Sequence, residues 1–336
     1  MNLRLPAWLR QGWRRLPWRG STGRLLLLTL AVFAGMAALS PDRFLTRANL
    51  ESMAFQFPEL ALLAFAILLT MLSAGIDLSV VATANLAGIL AALVLTRWWP
   101  GLADGPAPFA VAAAGITALA AGGACGTVNG LLIARAGISP ILATLGTLQL
   151  YTGLALVITR GHAVYGFPDA LLFLGNGLWL GVPMPFWLFL GAAGLLAVLV
   201  NRTAFGVEAR LLGTNPLAAT FAALPVRGVL FRTYLASGLL GGLTGLLMIA
   251  RTNSAKADYG SSYLLQAILI AVLGGVNPAG GFGTVLGVSL AVVALQALGS
   301  GFTLLGFSNF TREFVWGLFL LLIMVLNRLG RTNRQP

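Results

Sequence analysis

Ten long runs of apolar residues constrain this chain more than any other feature. A membrane-spanning α-helix needs about 20 such residues, and the runs here are continuous, as in 60–76, 141–158 and 314–326. Strands of a membrane barrel alternate apolar and polar side chains instead. Because a bilayer offers no water to backbone groups, only helices and closed barrels cross it. The runs therefore predict an all-α, polytopic helical membrane protein.

The composition also requires a bilayer. The 336 residues are 58% hydrophobic and 9% charged, whereas a soluble domain carries about 25% charged residues. The net charge of +12 comes from arginines at the ends of apolar runs, so nucleic acid is not expected as a partner. A single cysteine, Cys125, and a single histidine, His162, predict no disulfide framework and no metal site.

The runs predict about ten transmembrane helices within a membrane domain at 24–327. A basic cytoplasmic segment (1–23) precedes it and a cytoplasmic tail (328–336) follows it. The predicted spans are 24–40, 51–72, 79–95, 109–134, 141–159, 185–200, 228–250, 263–276, 283–299 and 311–326. The run 263–276 is short and bounded by glycines, which is typical of a broken or re-entrant helix. Glycine-rich stretches at 121–124 and 238–245 favour close contact between helices.

The distribution of charge predicts the orientation. Most Lys and Arg residues fall on one side if both termini are cytoplasmic, and most acids, Glu59 and Glu313 included, fall on the other. An alternative is that the arginine-rich start and the apolar run 25–39 form a cleaved signal peptide, which would leave nine helices. We favour the uncleaved helix, because no soluble domain follows it.

The longest polar interruption on the predicted cytoplasmic side is 201–227. Within it, Asn215 has the character of an N-cap and Pro216 that of a first helical residue. A short helix is predicted over 216–223, ended by Pro225. An isolated capped helix with alanines that permit close approach is typical of a docking element. An ordinary amphipathic connector is the alternative.

Two glycine-containing breaks interrupt the apolar pattern, at 73–79 and 274–285. The first contains Asp77, and a carboxylate deep in a bilayer costs about 2.5–3.5 kcal/mol. Either Asp77 caps a helix that begins at Leu78, with Ser79 beside it, or it belongs to a translocation path. Paired breaks are typical of two related halves with a central site. The second break contains Asn277.

Several polar residues within the spans are candidates for lining a path. Each of them could instead form hydrogen bonds between helices. They are Asn85, Asn129, Thr144, Gln149, Gln266 and Gln296.

Five motifs occur in a characteristic order and carry a resemblance. They are GIDLSV (75–80), NGLLIA (129–134), TLGT (144–147), GTN with a following Ala-Ala pair (213–219), and LGG with GGFGTVLG (273–287). Together they resemble the permease subunits of bacterial sugar-type ABC importers, the ribose, xylose, rhamnose and autoinducer-2 group. The finer placement, near the autoinducer-2 and rhamnose branches, uses Leu224-Pro225-Val226 and the stretch 253–260.

The resemblance implies a permease in the bacterial inner membrane that conducts a sugar or sugar-like molecule. The implied partners are a second permease subunit, identical or homologous, a cytoplasmic subunit that binds ATP-Mg, and a periplasmic sugar-binding protein. The permease itself would bind no cofactor and catalyse no reaction. The segment 201–227 would couple to the ATPase through Gly213, Asn215, Pro216, Ala218, Ala219, Leu224 and Pro225.

This sequence departs from the family pattern at two positions. Leu217 stands where an acidic residue is common, and Ala74 stands where a glycine commonly precedes Gly75. The chain also contains no G-x-x-x-x-G-K-[ST] signature for binding nucleotide phosphates. An ion-coupled secondary transporter is the alternative function, and in this interpretation Asp77 is the only plausible relay carboxylate.

Overall fold

The computed structural model describes residues 21–99, 101, 106–308, 310–318 and 321. This part of the chain is predominantly helical, which confirms the predicted class. The helices are α1 (Ser21–Leu39), α2 (Pro41–Phe44), α3 (Arg47–Leu72), α4 (Val80–Leu93, continued by a π-helical turn Val94–Trp98), α5 (Ala107–Ala134), α6 (Pro140–Thr159), α7 (Asp169–Asn176), α8 (Met184–Arg202), α9 (Ala204–Thr214), α10 (Pro216–Phe221), α11 (Val226–Thr252), α12 (Tyr263–Leu273) and α13 (Val285–Leu304), followed by helical residues 310–318.

Four two-residue strands form two small antiparallel pairs outside the helices. Strand β1 (Val164–Tyr165) pairs with β4 (Ser254–Ala255), and β2 (Leu178–Trp179) forms a hairpin with β3 (Val182–Pro183). The β1–β4 pair joins the connection after α6 to the connection after α11. Two loops that are distant in sequence are therefore held together.

Within the described residues, each predicted span coincides with a helix. Seven described helices (α3, α4 with its π-helical turn, α5, α6, α8, α11 and α13) are long and apolar enough to cross a membrane. Helix α12 has eleven residues and is too short to span alone, as its glycine-bounded run indicated. The tenth span begins with the helical residues 310–318. The N-terminal segment and C-terminal tail lie almost wholly outside the described residues.

Helix α3 lies at the centre of the bundle. Every side chain from Ala61 to Leu72 is buried, and α3 packs against α8, α11, α12 and α13. A helix that is apolar on all sides belongs in an interior. In contrast, only 28% of the most apolar stretch of α6 is buried, and side chains such as Leu142 and Val157 are exposed where lipid can solvate them.

Glycines bring α11 close to two neighbouring helices. A Cβ atom on Gly122 of α5 would overlap the carbonyl oxygen of Gly238, and one on Gly245 would overlap the carbonyl oxygen of Ala84 in α4. Close backbone approach supplies the packing that association in lipid requires. The contact role predicted for both glycine-rich stretches is therefore confirmed.

Candidate functional site

Asp77 anchors the first break (73–79) to α11. Its Oδ1 accepts hydrogen bonds from the amide and the hydroxyl of Ser79, at 3.0 and 2.7 Å. Its Oδ2 accepts one from the Ser237 hydroxyl at 2.7 Å. The carboxylate is 1% exposed. The helix begins at Val80 rather than Leu78, so Asp77 holds the turn before the helix and also ties two helices together.

The hydrogen bonds continue from the first break into α5 and α6. The Asn129 amide donates to the Ser79 hydroxyl at 2.8 Å, and the Thr147 hydroxyl donates to Asn129 Oδ1 at 2.7 Å. Thr144 donates to the Ile76 carbonyl at 3.1 Å. Four predicted path residues thus meet in one network, which is buried. In this conformation they join helices, and none of them lines the cavity described below.

Two further candidates lie apart from this network. Asn85 is buried and donates to the carbonyl oxygens of Ala257 and Tyr259, both at 2.9 Å, so it holds the connection after α11. Gln149 lies on the exposed face of α6. Neither side chain contributes to the cavity described next.

A cavity of about 490 Å³ lies between the first half of α3, α12, the second half of α13 and residues 312–316. Two predicted path residues, Gln266 and Gln296, line it. Its other polar lining residues are Asn49, Ser52, Gln56, Ser262, Ser300 and Thr303, with charged Arg251, Arg312 and Glu313. The size is typical of a small-molecule site, and the lining is unusually polar for one.

A buried ion pair stands beside the cavity. Arg251 Nε lies 2.6 Å from Glu59 Oε1, and Arg251 Nη2 lies 3.1 Å from Glu59 Oε2. Arg251 also donates to the Tyr259 hydroxyl at 3.3 Å. Two parallel bonds fix the orientation of the guanidinium group. The Glu59 side chain is 1% exposed, and that of Arg251 is 21% exposed.

The ion pair corrects one sequence-based interpretation. Glu59 is buried within α3, so Asp77 is not the only buried carboxylate of the bundle. The position of Glu59 in the sequence indicates its burial, because it lies two turns inside an apolar run. Its partner is 192 residues away, and no local pattern indicates it.

The capped helix of the segment 201–227 forms as predicted, with a shorter end. Asn215 Oδ1 accepts a hydrogen bond from the Ala218 amide at 3.0 Å, and Pro216 is the first residue of α10. The helix ends at Phe221 rather than Ala223, whose φ of 54° is left-handed. The Leu224 amide closes the turn on the Ala219 carbonyl at 3.1 Å, and Pro225 immediately precedes α11.

Helix α10 has an inner and an outer face. Ala219 is 3% exposed, whereas Leu217 is 68% and Phe221 83% exposed. Asn215, Pro216, Ala218 and Pro225 are also exposed, and Leu224 is half-buried. Only one alanine of the predicted pair therefore faces outward. The prominent outward groups are a leucine, where acidic residues are common in the family, and a phenylalanine.

Gly213 lies on the inner side, where the segment meets both breaks. A Cβ atom at Gly213 would overlap the Leu72 carbonyl oxygen and crowd the Gly281 amide, and that amide donates to the same Leu72 carbonyl at 3.0 Å. We call this contact of Leu72, Gly213 and Gly281 the junction. It joins the end of α3, the end of α9 and the second break.

The second break is shaped by its own turn. Asn277 accepts from the Ala279 amide at 3.2 Å and donates to the Gly280 carbonyl at 2.9 Å. Gly280 and Gly281 have φ values of 96° and 82°, which favour glycine. Ala74 of the first break has a φ of 61°. The glycine that is usual at that position in the family would adopt this conformation without strain.

These features define a class. The chain is a polytopic membrane protein with a polar cavity inside the bundle and an exposed capped helix at the other end of α3. A family model described as "Branched-chain amino acid transport system / permease component" matches residues 49–326. The chain belongs to this permease family, which confirms the resemblance carried by its five motifs.

The chain is similar to the autoinducer 2 import system permease protein LsrD of Yersinia enterocolitica. The two are 31% identical over 319 residues, which cover 93% of this chain and 92% of the relative. Proteins of the same name from Yersinia pestis and Yersinia pseudotuberculosis match at the same identity and coverage. No solved structure matches. The family description and the relatives' name refer to different solutes, so they define a permease component of an import system and not its substrate.

Proposed function

We propose that this chain is one permease subunit of an ATP-driven importer in the bacterial inner membrane, with both termini cytoplasmic. A second permease subunit, identical or homologous, completes the path. A periplasmic binding protein delivers a sugar or sugar-like solute, and a cytoplasmic subunit binds ATP-Mg and hydrolyses ATP. The solute to test first is autoinducer 2, because the relatives are named for its import.

The two faces of α10 support this proposal most strongly. Leu217 and Phe221 are large, exposed apolar side chains on the short helix α10, which is held at both of its ends. Exposed apolar groups on a short helix outside the long spans are typical of a protein contact. On the inner side, Gly213 touches Leu72 and Gly281. A partner that pushes on α10 therefore acts on both breaks through the junction.

In this proposal the partner subunit hydrolyses ATP, and this chain changes its conformation in response. Closure of the ATPase around ATP-Mg moves α10, and the bundle rocks between inward-open and outward-open states. The hydrogen-bond network of Asp77 keeps α4, α5, α6 and α11 together during this movement. The buried carboxylate is satisfied by three donors, so it needs no proton exchange to be stable in the bundle.

The docking contact is tested by Leu217→Asp and Phe221→Asp, each purified with its partner subunits in mild detergent. We expect either variant to lose most of the co-purifying ATPase subunit, because a carboxylate replaces an apolar contact. Phe221→Tyr is the matched control and is expected to keep the partner. Unchanged recovery of the ATPase with both aspartate variants would contradict docking through α10.

Gly213 and Ala219 are unsuitable for that test. Both are buried on the inner side of the segment, so bulky substitutions there would disturb the junction rather than the docking surface.

An ion-coupled secondary transporter is the second candidate, and Glu59 is the observation that favours it. A carboxylate within a spanning helix is a usual element of proton relays. Its bidentate contact with Arg251 provides a structural role instead. Proteoliposomes separate the two functions. ATP-dependent uptake that survives a protonophore supports the importer, and uptake that needs no ATP but collapses with the protonophore supports ion coupling.

A further inference from the structure

The cavity beside α3 has a composition that selects a kind of solute. Its polar lining is dominated by side-chain amides and hydroxyls, which come from α3, α12 and α13. These groups donate and accept hydrogen bonds without carrying charge. Apolar side chains, including Leu60, Ile270 and Trp316, form the rest of the wall.

The charges at the cavity are balanced in the part of the chain that the structure describes. Arg251 is neutralised by Glu59 at 2.6 Å, and Arg312 and Glu313 are adjacent in sequence at the wall. These two positive and two negative charges give the cavity no net charge to attract an ionic solute, which would lose hydration on entering it. A neutral solute meets no such cost.

In the described part of the chain, most side-chain amides that line the cavity form hydrogen bonds with other lining residues, but that of Gln266 does not. Gln56 donates to the Ser52 hydroxyl at 2.8 Å and accepts from Gln296 at 3.4 Å, and Ser300 donates to Asn49 at 2.7 Å. Within the described residues, the side-chain amide of Gln266 makes no hydrogen bond, although it lines the same cavity. Gln266 is half-buried, so its amide is free to bind a hydroxyl group of a solute in the cavity.

We propose that this cavity is a low-affinity binding site for a small, neutral, polyhydroxylated solute, with Gln56, Gln266 and Gln296 as its hydrogen-bonding residues. The inference rests on the proposed import function and extends it, because it gives the permease its own selectivity beside that of a binding protein. A volume of about 490 Å³ is within the range of small-molecule sites, roughly 300–1,000 Å³. Arg251, oriented by Glu59, gives the site a fixed donor.

Cysteine protection tests the site directly. Cys125 is replaced by alanine, which keeps the backbone carbonyl that Tyr151 contacts, and single cysteines are introduced by Gln266→Cys or, as the control, His162→Cys in the exposed connection after α6. The assembled importer in lipid nanodiscs is labelled with a water-soluble thiol reagent. D-ribose serves as the neutral probe and ribose phosphate as the anionic probe, both at millimolar concentration.

We expect D-ribose to slow labelling at position 266 and to leave labelling at position 162 unchanged. At a concentration of twice the Kd, occupancy slows labelling about threefold. Ribose phosphate is expected to have no effect. Equal labelling rates with and without D-ribose would overturn the proposal, as would protection by ribose phosphate or by phospholipid headgroups alone.

A second measurement uses substitution and transport. Gln266→Leu is expected to lower ATP-dependent solute uptake about tenfold, by removing one hydrogen-bonding partner and adding an apolar side chain, while Gln149→Leu leaves uptake unchanged. ATPase binding is expected to be normal in both variants. Unchanged uptake in Gln266→Leu contradicts the site. If the unsubstituted importer shows no ATP-dependent uptake, the proposed function fails, whereas ribose protection at position 266 remains measurable.

Discussion

The Glu59–Arg251 ion pair allows a quantitative test of how the bundle is held together. Three variants are compared: Glu59→Leu, Arg251→Met, and the double variant with both substitutions. Each single variant leaves one charged group without its partner beside α3. The double variant replaces the pair with apolar groups of similar volume.

The burial of the two groups sets the expected sizes. Removing one partner of a buried ion pair costs about 3–5 kcal/mol, whereas replacing both with apolar residues is often nearly neutral. The Arg251 side chain is 21% exposed and that of Glu59 is 1% exposed. Glu59→Leu therefore leaves an arginine that water can still reach, and we expect a loss of about 3 kcal/mol. Arg251→Met leaves the deeper carboxylate alone, and we expect about 5 kcal/mol.

The assay is equilibrium unfolding in mixed micelles, followed by tryptophan fluorescence and helical circular dichroism. The double variant is expected to regain stability to within about 1 kcal/mol of the unsubstituted protein. A double variant as unstable as the sum of the two single variants would refute the reasoning, because the two side chains would then act independently. Single variants of unchanged stability would refute it equally.

Four further changes have expected outcomes in the same unfolding assay. Ser237→Ala removes a hydrogen bond to the Asp77 carboxylate and should cost about 2 kcal/mol, and full stability would mean that this bond contributes nothing. Asn215→Ala removes the N-cap of α10 and should cost about 1 kcal/mol, and it should also weaken recovery of the ATPase. Gly122→Leu forces α5 away from α11 and should cost about 3 kcal/mol, whereas Gly153→Leu should be neutral, because an added Cβ atom at Gly153 meets no atom within 4 Å. Ala74→Gly relieves a left-handed conformation and should stabilise the protein by about 1 kcal/mol, and a loss of stability would contradict the observed φ.

Much of the fold was predictable because its causes are local. A run of apolar residues specifies a spanning helix whatever its neighbours are, and Asn215-Pro216 specifies a helix start through groups that are adjacent in sequence. The glycine-rich stretches also indicated close helix contact correctly, since small residues permit it in any bundle.

The site was less predictable because its contacts join distant parts of the chain. Asp77 and Ser237 are 160 residues apart, and the sequence gives no signal that they meet. A polar residue in a span has the same local pattern whether it faces a cavity, a neighbouring helix or the surface. Gln266, Asn129 and Gln149 occupy these three environments, although the sequence placed them in one group.

The central helix α3 carries the cavity at one end and the junction at the other. Gln56 and Leu72 are 16 residues apart, which is about 24 Å along a helix. Pro58 lies between them, and a proline inside a helix removes one backbone hydrogen bond and favours a bend. The stretch 61–72 is wholly enclosed by its neighbours, so it cannot move without them. A displacement at the junction would therefore reach the cavity through the packed bundle, with Pro58 as the point on α3 where a change of direction costs least.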